Sequence, residues 1–235
     1  MKIECVCVST DHEDFLENVI PLNKNHFDEY HIVTKKEDYK TIDVANRHGV
    51  NLIFSELFTK NNKKFNRGAV YNEVFKKLKH NDWVVLLDSD IVLPSNFRAW
   101  FQYFNEECFF GARRIDVPTK KLFLEIIESK KVPNDSIVFR GYGYGYLQIF
   151  NTQSEVFKSL GESPYSECYD TGEGDWIFRN QWGDLIYNPP LNDNPHAEKN
   201  SNDFGSNLLR ECPFQVLHLG IPGVNGNQRR VERFE

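Results

Sequence analysis

Residues Trp83-Val84-Val85-Leu86-Leu87 form an almost unbroken apolar run that stops at Asp88-Ser89-Asp90. A short apolar run with no polar face predicts a strand buried on both sides, and such strands belong to parallel sheets covered by helices. The preceding segments agree. Ile3 to Val8, Tyr30 to Thr34 and Val50 to Phe54 read as strands. Asp11 to Ile20 carries Phe15, Leu16, Val19 and Ile20 at helical spacing, with Thr10 or Asp11 as its cap. This βαβαβ order predicts a parallel sheet with helices packed on its faces.

Further along, Arg67 to Lys79 reads as a helix with an apolar stripe of Val70, Val74, Phe75 and Leu78. Another helix is expected from about Ser95, with Phe97, Trp100, Phe101 and Phe104 inward. Phe109 to Ala112, Leu147 to Phe150, Leu185 to Tyr187 and Gln215 to His218 read as strands. Thr152 and Glu155 have the spacing of a capping box for a short helix closed by Gly161. Asp175 to Trp182 reads as a helix closed by Gly183. No repeat or low-complexity linker interrupts the 235 residues, so a single domain is expected.

Composition narrows the function classes. A formal charge of −6 argues against a general nucleic-acid binder, although a local basic cluster or a metal can still receive a phosphorylated small molecule. No apolar run approaches the roughly 20 residues that span a bilayer, and no signal peptide is expected. Cys5, Cys7, Cys108, Cys168 and Cys212 are scattered and form no C-x-x-C pair, as expected for reduced thiols in a cytoplasmic protein. The 19 Phe and 10 Tyr either fill the core or leave rings free to line a binding surface.

Ligands of open α/β sheets bind beyond the carboxyl ends of the strands, where Asp88 and Asp90 stand. Residues two apart in a strand project to one side, so the two carboxylates are expected together, and a hard divalent cation, Mg²⁺ or Mn²⁺, relieves their repulsion. The competing reading is a turn whose aspartates cap the next helix.

The stretch from Phe65-Asn66-Arg67-Gly68-Ala69-Val70-Tyr71-Asn72 through the helix to Trp83–Asp90 and Ile91-Val92-Leu93-Pro94 resembles the nucleotide-sugar half of GT-A-fold glycosyltransferases, the inverting family 2 type above all. The resemblance covers residues 1 to about 95 as an ordered pattern. It implies an α/β fold in a single GT-A-like domain over 1–235: a mostly parallel Rossmann-like nucleotide-binding half (1–95), a mixed-sheet acceptor and catalytic half (96–220), and a tail or lid (221–235). It also implies Asp90 as the main metal ligand, and Asp88 on the ribose or on the metal. Arg67 would lie on the donor side.

Later landmarks extend it. Glu173-Gly174-Asp175-Trp176 resembles the acidic helix start that carries the catalytic base, with Gly174 where the family has a second acid. Asp175 is the expected base, deprotonating the acceptor hydroxyl; the alternative is an N-cap aspartate. His218, at the end of a late strand, is the expected third metal ligand, ahead of His196. The alternating Gly and Tyr of Arg140 to Tyr146 place Gly143 and Tyr144 under the donor sugar, unless the bare face only packs against backbone. Asp38 is the one candidate for holding the base of a UDP- or GDP-sugar. Arg229 and Arg230 are either a lid over the diphosphate or a charged tail.

The expected function is therefore metal-dependent transfer of a sugar from a nucleotide-sugar donor to a glycan or other hydroxyl acceptor, with inversion. Two rivals remain. D-x-D also marks haloacid-dehalogenase-like phosphatases, but there it ends the first strand, whereas three strands precede it here. A sugar-nucleotide-binding protein without catalysis is the other.

Overall fold

A computed structural model describes residues 1–62, 65–79, 82–133, 138–139, 145–167, 171–183 and 208–220. Its strands are β1 Ile3–Val8, β2 Glu29–Thr34, β3 Asn51–Phe54, β4 Trp83–Leu87, β5 Ile91–Val92, β6 Phe109–Val117, β7 Val138–Phe139, β8 Leu147–Asn151 and β9 Leu209–Leu219. The α-helices are α1 Glu13–Asn23, α2 Tyr39–His48, α3 Arg67–Phe75, α4 Lys120–Ser129, α5 Glu155–Ser159 and α6 Thr171–Arg179. Among the described residues the strands form one sheet in the order β3-β2-β1-β4-β8-β6-β9-β5, with β7 on β6.

The sheet is parallel from β3 to β4, and strand direction reverses after β4, which pairs in parallel with β1 and antiparallel with β8. β6 then runs antiparallel to β8 and parallel to β9, with a register shift between Gly111 and Arg113. A parallel half joined to a mixed half is a GT-A-like arrangement, as expected.

β4 is buried on both faces, and its side chains divide by parity. Val85 and Leu87 join Cys5, Cys7, Leu16, Ile32, Phe97 and Ile149 in one core layer. Val84 and Leu86 join Val6, Val8, Val33, Val74, Phe150 and Phe178 in the other. Burial absorbs much of the aromatic surplus: Phe75, Phe109, Phe150, Phe157, Phe178 and Trp182 pack as one group, with ring centroids 5.0–6.1 Å apart across its contacts.

Several local expectations are corrected. Neither Thr10 nor Asp11 caps α1: Asp11 has φ +58° and gives its backbone N–H to Asp38, while His12 stands at the cap position and turns its ring Nδ1 to the Thr10 carbonyl at 2.6 Å. α3 ends at Phe75 rather than Lys79, and the chain then bends so that the Lys79 N–H meets buried Glu4 at 3.1 Å. The segment expected as a helix after Ser95 is a 3₁₀ helix, Phe97–Tyr103, with Phe97 and Phe101 inward. Ser154, not Thr152, caps α5, accepting from the Phe157 N–H. α6 begins at Thr171, which puts Asp175 inside the helix and removes the N-cap alternative. Leu185 to Tyr187 lies outside the described residues. No described helix is long and apolar enough to cross a membrane.

Candidate functional site

Asp88 follows the last residue of β4, beyond the carboxyl ends of the four parallel strands. The strand stops at Leu87, and residues 88–90 turn tightly, with the Ile91 N–H donating to the Asp88 carbonyl at 3.3 Å. The period-2 rule therefore does not carry through the motif. Asp88 and Asp90 are drawn to different partners, which corrects the expectation that they point the same way.

Asp88 belongs to a buried cluster centred on Arg67, the first residue of α3. One arm of the guanidinium meets the Asp88 carboxylate. The other, Nη1, lies 3.0 Å from Asp175 Oδ2 and 3.2 Å from the Gly145 carbonyl. The Arg67 side chain is 10% exposed, Asp175 7% and Asp88 29%, so only Asp88 has substantial access to solvent. A single cation thus bridges two of the predicted acids.

Asp175 shares the inward side of α6 with Phe178, three residues on. Tyr165 donates its hydroxyl proton to Asp175 Oδ1, and Gln148 Nε2 reaches the same oxygen at 3.2 Å. A phenol has one proton; since it goes to the carboxylate, Gln148 must turn its amide nitrogen to the phenol oxygen, 2.9 Å away. Burial raises the Asp175 pKa above the ordinary carboxylate value, against the pull of Arg67, Tyr165 and Gln148 toward the charged form. Burial also works against the Arg67 charge, but Tyr71, Asp175, Tyr165 and Cys7 outweigh it and raise its pKa. Burial pushes Tyr165 up as well, so the phenol keeps its proton.

The Asn- and Gly-containing start of α3 holds this cluster together. Asn66 caps the helix through the Ala69 N–H, at 2.9 Å, and gives its amide to the carbonyls of Lys60 and Glu167. Asn72 makes a reciprocal pair with the backbone of Tyr165, both bonds at 2.9 Å. At Gly68 a β-carbon would stand 2.9 Å from the Ser166 carbonyl carbon and closer still to its oxygen, so only glycine lets the two backbones approach. The segment 165–167 is thereby fixed to α3, and Tyr165 to Asp175.

The second cluster lies on the other side of the turn. Asp90 Oδ2 is 3.4 Å from His218 Nε2, and Asp116 Oδ1 is 3.1 Å from His218 Nδ1. Strand register brings them together: His218 of β9 is paired with Ile91 of β5 and with Asp116 of β6. Arg114 Nε lies 3.0 Å from Asp116 Oδ1, and its guanidinium sits 5.0 Å from the centre of the Tyr146 ring. Asp90, Asp116 and His218 are all buried.

Among the described residues, no three His, Cys, Asp or Glu side chains are arranged to hold a metal ion by themselves. The donor set nevertheless fits an ion completed by a ligand. A carboxylate oxygen and an imidazole nitrogen stand side by side, and Mg²⁺ or Mn²⁺ sites commonly use one or two protein groups together with substrate phosphates and water.

Asp38 is the side-chain cap of α2, accepting from Thr41 N, Asp11 N and Thr34 Oγ1 at 2.9–3.2 Å. Both of its oxygens are thus engaged in tying the carboxyl end of β2 to the loop after β1. Gly143, Tyr144, His196, Arg229, Arg230 and the Glu173 side chain lie outside the described residues. Sequence reasoning missed Tyr165, Gln148, Asp116 and Arg114. Gln148 carried a signal, as the one amide within Leu147-Gln148-Ile149-Phe150, and so did Asp116 between Ile115 and Val117. A buried polar residue on an apolar strand needs a partner.

No family model and no curated protein matches the sequence. A solved mycobacterial protein is similar over 95% of this chain and 69% of its own, at 14% identity and a TM-score of 0.55. Glucosyl-3-phosphoglycerate synthase from Mycobacterium tuberculosis, solved with Mn²⁺, UDP and glucosyl-3-phosphoglycerate, aligns at 18% identity and a TM-score of 0.39. That match covers 48% of this chain and 44% of that one, so the chain spans less than half of the synthase. The inositol-1-phosphate CTP transferase of T. maritima aligns at 15% identity over 93% of this chain and 88% of its own, with a TM-score of 0.49. At these identities the likeness concerns the fold.

Proposed function

We propose that this chain is a metal-dependent glycosyltransferase that moves a sugar from a nucleotide-sugar donor to a hydroxyl acceptor with inversion. The observation that carries the reading is the buried pair of Asp90 Oδ2 and His218 Nε2, 3.4 Å apart, just beyond the end of β4. In this reading these two side chains would hold Mn²⁺ or Mg²⁺, which would supply positive charge for a diphosphate leaving group. Asp88, held by Arg67 and partly exposed, faces the donor rather than completing the ion's shell.

Asp175 is the base. It accepts the proton of the acceptor hydroxyl as that oxygen bonds to the anomeric carbon and the bond to the diphosphate breaks. Burial raises its pKa above the ordinary carboxylate value, which makes it a stronger base than an exposed carboxylate. Gly145 is exposed and lies beside it: a β-carbon there would stand 3.6 Å from Asp175 Oδ2, in ordinary contact with the carboxylate. Tyr165 and Gln148 orient the carboxylate from the opposite side.

The test is a panel of UDP- and GDP-sugars with Mn²⁺ or Mg²⁺, read by thermal shift and by donor hydrolysis. One donor should stabilise the chain only with metal, and Asp90→Ala should abolish that stabilisation. Unchanged metal-dependent stabilisation in Asp90→Ala would overturn the assignment.

One observation favours a second reading, a sugar-nucleotide-binding protein without transfer: both Asp175 oxygens are already engaged by Arg67, Tyr165 and Gln148. Donor hydrolysis absent in the wild type and in Asp175→Asn, with donor binding intact in both, would establish it. The phosphatase reading has less to stand on, because the D-x-D motif follows the fourth strand and its first acid is bound to Arg67.

A further inference from the structure

We infer that Asn23 is a positioning residue for the metal site: its side-chain amide completes the open edge of β5 and so holds Asp90 opposite His218. The inference rests on the metal reading proposed above and adds a residue to it. β5 is two residues long and ends the sheet, with β9 on one side and no described strand on the other. Successive residues of a strand turn their peptide groups to opposite edges. The Asp90 carbonyl accepts from the Leu219 N–H of β9 at 2.8 Å, so the Ile91 carbonyl and the Leu93 N–H face away from β9. Backbone groups on such an edge need partners when they are buried. Asn23 supplies both: Nδ2 donates to the Ile91 carbonyl at 2.8 Å, and Oδ1 accepts from the Leu93 N–H at 2.9 Å. The two bonds fix which way round the amide lies, and together they imitate one residue of a neighbouring strand.

Asn23 is suited to the task because it is itself held. It is the last residue of α1 and fully buried. α1 packs along β5: Phe15 and Val19 share one core layer with Val92, and Leu16 and Ile20 share another with Ile91 and Leu93. The amide therefore reaches β5 from a docked helix rather than from a loop. Asp90 immediately precedes β5, and His218 is the register partner of Ile91. The 3.4 Å separation of Asp90 and His218 thus depends on where β5 sits. Without Asn23, a two-residue strand would be held on one edge only, and two buried backbone groups would lose their partners. Metal ligands tolerate little movement, and groups that steady them from outside commonly change metal affinity about 10–100-fold.

Titration of the full chain with Mn²⁺ alone tests this. Asn23→Leu keeps the side-chain volume and removes both hydrogen bonds; Asn23→Ala removes volume and bonds together. Both should bind Mn²⁺ about 10–100-fold more weakly than the wild type. Val33→Ala, a core truncation in β2 on the other face of the sheet, should lower thermal stability and leave Mn²⁺ affinity unchanged. Wild-type Mn²⁺ affinity in Asn23→Leu, or an equal loss in Val33→Ala, overturns the positioning role. Hydrogen exchange in the wild type decides the matter even if the Asn23 variants do not fold. A seated β5 and a bound ion favour each other, so Mg²⁺ should slow exchange of the Leu93 amide. An unchanged Leu93 rate in protein that does bind the ion overturns the role of Asn23 alone. Failure of the wild type to bind either ion overturns the metal reading, and the role of Asn23 falls with it.

Discussion

Arg67 carries its charge into the interior between Asp88 and Asp175, and its loss leaves both acids without a counter-ion. Removing one partner of a buried ion pair typically costs about 3–5 kcal/mol, because the remaining charge stays desolvated. Arg67→Met should therefore lower unfolding stability by about that much in urea titration, and the loss should shrink at acid pH, where the two carboxylates are protonated. Gly68→Ala is a different kind of lesion, a β-carbon driven into the Ser166 carbonyl. Overpacking of this kind costs about 1–3 kcal/mol, and chemical denaturation should show it without any change in Mn²⁺ affinity. The pKa of Asp175 is raised by burial, so its protonated form is favoured in the fold. The stability this group contributes is full below the ordinary carboxylate value and is lost as pH rises through its raised value. Catalysis has the opposite sign, since a base must be ionised. The rate of donor hydrolysis should fall as pH drops through a value above 3.8, and Asp175→Asn should remove that limb together with most of the rate.

At the scale of elements, α3 and the 165–167 segment behave as one unit. Asn72 is the pin between them, pairing with the backbone N–H and C=O of Tyr165. Asn72→Ala leaves both groups without their buried partner, at about 1–3 kcal/mol, and amide exchange at Tyr165 should quicken well before that of β4. These features also show how far the sequence could be read. β1, β2 and β4 were legible because their apolar runs are short, dense and closed by polar residues. The Asn and Gly of the α3 start were legible only as a resemblance. What they do, which is to admit and clamp a segment about 100 residues away, depends on a close backbone approach that no local pattern encodes. Asp88 and Asp90 misled the period-2 argument because the strand ends one residue before the motif. Asp175 passed for a possible cap because the first turn of α6, Thr171 to Gly174, has little helix propensity; tertiary packing of Phe178 and Trp182 overrides it. Tyr165 stayed hidden, since a Tyr in a Ser- and Pro-rich loop looks like surface.

For the molecule as a whole, the reversal of strand direction after β4 places the candidate site where the parallel and mixed halves meet. A ligand spanning that line touches both, so binding should stabilise the entire chain rather than one lobe. At 100 times its dissociation constant, a donor bound with metal should add about 2.7 kcal/mol. That corresponds to a rise of roughly 2–4 °C in Tm per kcal/mol for a chain of this size, and calorimetry should show a single transition moving as one. Ser89 alone separates Asp88, which answers to Arg67 and Asp175, from Asp90, which answers to His218 and Asp116. Where one short turn couples two such networks, the linkage is reciprocal. Whatever factor an ion at Asp90 imposes on the proton affinity of Asp175, protonation of Asp175 must impose on the affinity for the ion. Acid and metal would then act as heterotropic effectors of each other, through a single tight turn.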